Sequence, residues 1–459
     1  MSALRGGKPH REPLSAGIFC AGLIVVASAF APLLPAQEQT VRSDSATSQQ
    51  QEHSHSKEIT SLQDLLNEAE QSNPQISAAR HAWEAAKQVP SQVSTLPDPQ
   101  FVVQQVNVGS PRPFAGYTNS DFAYFGLGVS QDIPYPGKLH LRGEMAQRDS
   151  DVAQDQYESV RRSVLAGVKA TYFQLSYLAQ TLQILESDGQ FLEQVEKAAE
   201  ARYRSGMGSQ QDLLQAQLEQ TKLLREITMH HLEVAKAQAQ IKQLLNRSQS
   251  SPDVEPSPLP DTPLAQSFDE LLDAATNRNP DISGAQQMVA KEKLQVDVAN
   301  KDFDPDFTIQ YMWQRTDPTQ YRAYYMLSVG VSVPIYRSRK QRPELAEAEA
   351  NLARSKSEAE SQTQQVAFRL RTAFDSVEKA DELLKIYKDG LLPQARTEFQ
   401  SGLAAYQNNR QEFQSLFTSF LDVLSMDEEY WQTLADRETA IAQIEQLTGL
   451  SLRQEESDQ

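Results

Sequence analysis

The stretch FAYFGLGVSQDIPYPGK, residues 122–138, alternates apolar side chains with small or polar ones and then reaches two prolines. Because successive side chains of a β-strand point to opposite faces, Phe125, Leu127 and Val129 share one face. Long helical patterns fill most of the remaining chain. So short a β-segment needs other strands to pair with, and its partners decide the fold.

Comparable alternation predicts strands at about 100–108, 121–132, 306–315 and 322–333. Roughly ten residues of alternating apolar and polar side chains are typical of a transmembrane β-strand. A soluble hairpin with one buried face gives the same pattern in a single strand, so that alternative stays open. The residues predicted to face lipid are Phe125, Leu127, Val129, Phe307, Ile309, Tyr311, Trp313, Tyr325, Leu327, Val329 and Val331.

Four strands are too few to enclose a channel. A closed barrel needs about eight strands or more, and lipid does not tolerate open sheet edges. We therefore expect the edges to pair between chains. Three copies would supply about twelve strands, the smallest ring with room for an aqueous channel.

The first 36 residues have the pattern of a secretory signal peptide. A basic start precedes an apolar stretch from Leu14 to about Leu34, and small residues end it at Pro35-Ala36. We predict a signal peptide over 1–36, with an amino-terminal membrane anchor as the alternative. The only cysteine, Cys20, follows Phe19, whereas a lipid-attachment cysteine normally follows a small residue, so its lipidation stays open.

The charge balance excludes some partners. The formal net charge is -18, and removal of the basic first segment makes it more negative. This argues against nucleic acid or an anionic membrane surface as a partner. No later stretch approaches the roughly 18 apolar residues of a membrane helix, so any passage through a bilayer would use strands.

The chain also contains an internal duplication. Residues 61–88 parallel 267–294, residues 96–108 parallel 302–314, and residues 127–134 parallel 327–334. Such self-similarity indicates one structural unit used twice. The predicted organisation is a disordered polar segment at 37–58, repeat 1 at 59–247, a Pro/Ser-rich linker at 248–264, repeat 2 at 265–450 and a polar tail at 451–459.

Each repeat reads as a helix, two strands, a long helix and a shorter helix. The first helix, at about 60–90 or 267–301, contains an Asn-Pro pair that should end or kink it. The long helix predicted over about 139–202 has apolar residues spaced by three and four, as a coiled-coil seam requires. They are Leu165, Val168, Tyr172, Leu175, Leu178, Leu182 and Leu185. Gly206 and Asn409 are residue types that tolerate a left-handed backbone and can reverse the chain after such a helix.

These features resemble the outer-membrane efflux protein (TolC-like) family. The resemblance spans about 60–450 and rests on the duplication, on GVSQDIPYPGK (128–138) and on RYRSGMGSQQDLLQAQ (202–217). The PYPGK form is similar to the branch associated with heavy-metal cation efflux. The resemblance implies a mainly α-helical chain with a small transmembrane β part, assembled as a homotrimer.

In that family a trimeric α-helical barrel continues into a shared 12-stranded outer-membrane β-barrel, with four strands from each chain. The resemblance implies a passive exit duct, located in the outer membrane with a long periplasmic part. It also implies a periplasmic adaptor protein and an inner-membrane pump as partners. Apart from the resemblance, the sequence carries no enzyme motif, so we expect no cofactor and no enzymatic activity.

The resemblance places a periplasmic gate or adaptor contact at the two helix turns. Ser415 stands where family members often carry an acidic residue, which puts an acidic gate at the second turn in doubt. Solvated helix-end charges are the alternative for the arginines, and a favourable helix-dipole interaction is the alternative for Asp212. The candidate residues are Arg202, Tyr203, Arg204, Ser205, Gly206, Asp212, Tyr406, Asn408, Asn409 and Arg410.

Enzyme and metal signatures are missing from the sequence. There is no glycine-rich phosphate loop and no cysteine nucleophile in a plausible context. The pairs His53/His55 and His230/His231 fit solvated residues better than metal ligands. The second functional class is a secreted coiled-coil stalk protein without a conduit.

Overall fold

The computed structural model describes residues 61–106, 123–260, 262–315, 323–408 and 410–453. The predicted signal peptide (1–36), the predicted disordered segment (37–58), Asn409 and most of the predicted tail lie outside these residues. The outermost residues predicted for the strands, at 107–108, 121–122 and 322, also lie outside them.

The first half of the chain follows the predicted order of elements. Its elements are α1 (Leu62–Ser72), α2 (Pro74–Ala86), α3 (Val89–Ser94), β1 (Gln100–Val106), β2 (Tyr124–Ile133), α4 (Lys138–Arg204) and α5 (Gln210–Leu244).

The second half shows the same order. Its elements are α6 (Phe268–Arg278), α7 (Pro280–Lys301), β3 (Asp306–Arg315), β4 (Tyr324–Ser332), α8 (Gln341–Ile386), a π-helical turn (Tyr387–Leu391), α9 (Leu392–Gln407) and α10 (Phe413–Thr448). The fold class is therefore confirmed as mainly helical with a small antiparallel sheet.

The long helices of the two halves match in length. Helix α4 contains 67 residues and, at about 1.5 Å per residue, extends for about 100 Å. In the second half, α8, the π-helical turn and α9 form one continuous helical path from Gln341 to Gln407. The π-helical turn, which contains Gly390, interrupts this path and was not predicted from the sequence.

The first predicted helix is divided into shorter helices at its Asn-Pro pair. Asn73 caps α2, because its side-chain oxygen accepts hydrogen bonds from the backbone of Gln75 (2.8 Å) and Ile76 (3.3 Å). Its side-chain amide donates to the carbonyl of Leu244 at the end of α5 (2.7 Å). Pro74 lacks the backbone N–H that a continuous helix would need, so the break follows from the sequence.

The second Asn-Pro pair makes the same joint. Asn279 caps α7 through the backbone of Asp281 (3.0 Å) and Ile282 (3.3 Å), and donates to the carbonyl of Leu447 in α10 (3.0 Å). Both asparagines are buried. In each half, the asparagine therefore ties the carboxyl end of the last helix, α5 or α10, to the helix break near the start of that half.

The described strands form one antiparallel sheet in the order β1-β2-β3-β4. The central pair, β2 and β3, joins the two halves of the chain with Val129 opposite Tyr311. The outer pairs place Val103 opposite Leu127 and Tyr311 opposite Leu327. Each half therefore contributes two strands, and β1 and β4 lie at the two edges.

The helices bury the predicted seam positions. Val168, Tyr172, Leu175 and Leu178 of α4 lie in one buried cluster with residues of α1 and α5. A second cluster near the turns contains Leu185 and residues of α9 and α10. There the ring centroids of Phe191 and Phe399 are 5.1 Å apart, in an edge-to-face geometry that is favourable for aromatic pairs. None of the described helices carries an apolar stretch long enough to span a bilayer.

The Pro/Ser-rich segment between the halves has no helix or strand in its described residues, but it packs on the helices. Val254 and Leu259 are buried. Gln238 of α5 exchanges two hydrogen bonds with the backbone of Val254 (2.8 and 3.0 Å). Arg437 of α10, itself buried, donates to the carbonyl of Pro260 (2.7 Å). The segment is thus held along the helices by side-chain hydrogen bonds.

Candidate functional site

The sheet brings all the residues predicted to face lipid onto one face. Directly opposite residues of antiparallel strands share a face, and the register places Leu127 opposite Trp313 and Trp313 opposite Tyr325. On the same face, Val129 lies opposite Tyr311, and Tyr311 lies opposite Leu327. The remaining opposed pairs on this face are Ile309 with Val329, Phe307 with Val331, and Phe125 with Arg315. The grouping follows from the period of two in each strand.

This apolar face extends onto β1, which sequence reasoning did not include. Phe101 lies opposite Val129, and Val103 lies opposite Leu127. Phe101 is 83% exposed and Val103 is 63% exposed. The alternation of residues 100–106 was the available signal. It was obscured because Val102, which lies between Phe101 and Val103, is also apolar.

The opposite face of the sheet carries small and polar residues. Gly126, Gly128 and Met312 lie on it, together with Gln310 and Gln314. A β-carbon at Gly128 would lie 2.9 Å from the backbone oxygen of Tyr311, so glycine permits the close approach of β2 and β3 there. One face is thus mainly apolar, and the other combines small and polar residues with Met312 and Met326; a mainly apolar outer face is typical of strands that meet lipid.

A buried lysine connects the sheet to the helices. Lys138, the first residue of α4, has a side chain that is only 3% exposed, and its ammonium lies 3.1 Å from Asp302 and 2.9 Å from Asp306. The backbone N–H of Tyr135 also donates to Asp306 (2.7 Å). This arrangement, which we call the Lys138 clamp, ties the end of β2 to the start of β3.

The first helix turn is built by its glycines and by a serine cap. Gly206 has φ +72°, a left-handed conformation that favours glycine. The N–H groups of Met207 and Gly208 both donate to the carbonyl of Arg202 (2.9 and 3.1 Å). Ser209 then caps α5 by accepting from the backbone of Asp212 (3.1 Å). The predicted chain reversal at Gly206 is present, while Asn409 lies outside the described residues.

Arg202 connects the two helix turns. Its guanidinium donates to the carbonyl of Tyr406 (2.9 Å) and lies 4.4 Å from the centre of the Tyr406 ring. The Tyr406 ring also packs edge-to-face on Phe413. Burial raises the pKa of Tyr406, and the nearby Arg202 opposes that rise. A cation–π contact of this type contributes about 0.5–2 kcal/mol.

The candidate residues of the turns fall into two groups. Arg202, Asp212, Tyr406 and Arg410 line one open groove of about 540 Å³, which also contains Glu412. We call it the turn groove. Tyr203, Arg204, Ser205, Gly206 and Asn408 are outside its lining.

The second group makes local contacts. Arg204 pairs with Glu200 of its own helix (2.6 Å), and both side chains are exposed. The amide of Asn408 donates to the carbonyl of Ala404 (2.7 Å), and Ser205 donates to the carbonyl of Arg202 (2.9 Å). Ser415 stands where family members often carry an acidic residue. Its hydroxyl accepts a hydrogen bond from the side-chain amide of Gln411 (2.9 Å).

A half-buried acid, Asp188, lies farther along α4. Burial, assisted by the charge of Asp427, raises the pKa of Asp188 in α4 to about 6. Asp427 itself binds Arg396 of α9 (2.7 Å). Among the described residues, no group of three or more His, Cys, Asp or Glu side chains is arranged to hold a metal ion.

A family profile matches most of the chain. The profile, described as Outer membrane efflux protein, matches residues 65–247 and 271–410. The two matched segments correspond to the two halves of the chain. A search of curated proteins found no match.

Solved structures share the fold. The outer-membrane channel OprN has a TM-score of 0.75 at 19% identity, covering 84% of this chain and 89% of that chain. CusC, solved in a study of transmembrane channel formation, has a TM-score of 0.73 at 16% identity, covering 84% and 91%. The outer membrane protein VceC of Vibrio cholerae has a TM-score of 0.73 at 14% identity, covering 85% and 97%.

Proposed function

The chain belongs to the outer membrane efflux protein family, and on that premise we propose that three copies of it form one passive exit duct. As a family member it is an outer-membrane channel subunit of a tripartite efflux system. It resides in the outer membrane of a Gram-negative-type bacterium and has a long helical periplasmic part. The members of this family are channel proteins rather than enzymes.

The observation that carries the trimeric duct is the sheet with one apolar face and two open edges. An open edge leaves a row of backbone N–H and C=O groups unpaired, which costs several kcal/mol for each group in lipid. Four strands cannot curl far enough to pair their own edges. Identical copies supply the missing partners, and three of them give about twelve strands around an aqueous lumen.

The helices support the same arrangement. Helix α4 packs against both α5 and α10. Among the described residues of one chain, the outer faces of α5 and α8 stay largely exposed. Exposed apolar side chains on those faces include Leu214, Leu218 and Leu224 of α5 and Phe368 and Ile386 of α8. Side-by-side assembly of three chains would bury these residues and build a helical tube below the barrel.

The turn groove is the proposed gate. Arg202 binds Tyr406 from the other half of the chain, so any separation of the two turns must break that contact. Asp212 and Arg410 lie in the same groove and would add charged groups to a ring at the end of the tube. The exposed Tyr203, Arg204 and Met207 are available to an adaptor protein.

The proposed partners are a periplasmic adaptor protein and an inner-membrane pump, which supplies the energy. The exported cargo is a small molecule or a metal cation. The assignment of this chain to the heavy-metal branch of the family rests on the PYPGK resemblance alone. The passage itself needs no resident cofactor, because the duct only conducts what the pump delivers.

The stalk alternative is not favoured. A secreted coiled-coil stalk would leave the apolar face of the sheet in water, including Phe101, Tyr325 and Leu327, which are all exposed in the single chain. Contiguous exposed apolar patches of this kind mark sites that are covered by a partner or by a membrane.

Fractionation and conductance together test the duct. Expressed with its own amino-terminal segment, the protein should sediment with the outer membrane, resist release by high salt and produce discrete conductance steps in a planar bilayer. Release by salt, together with no conductance after addition of detergent-purified protein, would contradict the duct and favour the stalk.

A further inference from the structure

The two edges of the sheet correspond to the two strands that pair at its centre. By the internal duplication, β4 (residues 324–332) matches β2, since residues 327–334 parallel 127–134. In the same way β1 matches β3, since residues 96–108 parallel 302–314. The chain pairs β2 with β3. It leaves the matching strands, β4 and β1, at opposite edges of the sheet.

Within the sheet, the register between β2 and β3 is fixed. Gln131 lies opposite Ile309, Asp132 lies opposite Thr308, and Ile133 lies opposite Phe307. We infer that β4 of one copy pairs antiparallel with β1 of a second copy in this same register. Val331 then lies opposite Val103, Ser332 opposite Val102, and Val333 opposite Phe101.

The side chains at the two edges fit this register. Val331 and Val333 are 52% and 57% exposed in the single chain, and Val103 and Phe101 are still more exposed. The inferred register puts all four on the apolar face, where they form cross-strand pairs. A slip by one residue would instead move the side chains of one strand to the opposite face.

Beyond the strands, the junction between copies differs chemically from the junction within the chain. Where the Lys138 clamp holds β2 to β3, the matching positions are Ser338 after β4, Leu96 before β1 and Gln100 at the start of β1. The neighbouring Ile335 and Tyr336 are 74% and 69% exposed, and Leu96 is also exposed. The three matching positions therefore carry no counterpart of the ionic contact that Lys138 makes within the chain.

This register rests on the proposed function, because it presupposes a ring of identical copies. It adds to that function a defined partner surface, with one residue of one copy facing one residue of the next. It also predicts which pairs of positions approach within disulfide distance across the interface, with Cα atoms about 4.4–6.8 Å apart.

Cysteine pairs test the register in a background with Cys20 replaced by serine. Two matched double variants are Val331→Cys with Val103→Cys, and Ser332→Cys with Val102→Cys. Two slipped controls use the same positions in exchanged combinations: Val331→Cys with Val102→Cys, and Ser332→Cys with Val103→Cys. All four are oxidised in outer membranes and run on non-reducing gels.

Both matched pairs should give covalent multimers up to three chains, at a yield about tenfold above that of either slipped control, because only opposed Cβ atoms satisfy disulfide geometry. Equal yields, or higher yields from the slipped controls, would overturn the register. The mass of each variant in detergent, measured before oxidation, distinguishes failure of the register from failure of the trimer. Trimers without cross-linking in either matched pair refute the register alone, whereas single chains of the cysteine-free background refute the trimeric duct as well.

Discussion

The two strand-to-helix corners of this chain follow matching strands, β2 and β4, but differ in sequence and in surroundings. In the first corner, Lys138 is buried and binds Asp302 and Asp306 of the other half. In the second corner, Ile335 and Tyr336 are largely exposed. The first corner has the second half as its neighbour, whereas the second corner has no counterpart on its open side within the described chain.

We propose that an identical copy packs against the open corner, so that a ring of copies completes the duplicated unit. The same logic applies to the strands, since β2 and β3 are paired and β1 and β4 are open on one edge. The largest effect of a substitution is expected on the open side.

A charge on the apolar face of β4 should disrupt assembly. Leu327→Lys places an ammonium in the middle of the edge strand that leads into the open corner, at a cost of about 2–4 kcal/mol if that face meets lipid. The trimer band on a semi-native gel should be lost. The neighbouring Ser328→Lys, whose side chain lies on the polar face, is the matched control and should retain the trimer. Equal loss in both variants would refute the assignment of faces.

Removal of the clamp should destabilise the first corner. Lys138→Met leaves Asp302 and Asp306 without their cation, and we expect a loss of about 2–3 kcal/mol, below the value for a fully buried pair because both carboxylates are partly exposed. The midpoint of urea unfolding in detergent measures it. Lys340→Met in the open corner should cost less than about 0.5 kcal/mol, as for exposed positions. A comparable loss in the two variants would contradict the contrast between the corners.

At the first helix turn, two neighbouring arginines, Arg202 and Arg204, make different contacts. Arg202→Ala removes the contact between the turns and should shift the closed–open balance by about 1–2 kcal/mol, or about 5–30-fold, towards the conducting state. Arg204→Ala removes only an exposed pair with Glu200 and should have little effect. Single-channel recordings decide this. If Arg204→Ala raised the conductance and Arg202→Ala did not, the turn groove would not be the gate.

The smallest effect concerns pH. Burial and the charge of Asp427 raise the pKa of Asp188 to about 6, so the folded state favours the protonated form. The contribution of Asp188 to the free energy of unfolding should therefore be most favourable below about pH 4. It should fall as the pH rises to about 6 and change little above that. In urea unfolding between pH 4 and 8, Asp188→Asn should show a weaker fall than the unaltered protein. An unchanged pH profile would show that Asp188 is not held in a low-polarity site.

Local patterns made the strands and the long helix predictable. The period of two in residues 121–132 and 306–315 identified both the strands and their apolar residues, and the spacing of Val168, Tyr172 and Leu175 identified the buried seam. The Asn-Pro pairs correctly indicated helix breaks. Each of these features is encoded within about a dozen consecutive residues or by direct repetition.

Contacts between distant parts of the chain were not predictable in this way. The Lys138 clamp depends on the pairing of β2 with β3, since Asp302 and Asp306 lie in the other half of the sequence. The contact of Arg202 with Tyr406 likewise joins turns from different halves. The π-helical turn at Tyr387–Leu391 has no periodic signature in its residues. The functional roles of the turn residues stay predictions.

The mass of the detergent-solubilised protein decides whether identical copies close the duct. Light scattering with correction for bound detergent should give the mass of three chains, and the same fraction should conduct in a planar bilayer. A folded single chain that inserts into a bilayer and conducts without associating would contradict the claim that the duct is closed only by identical copies.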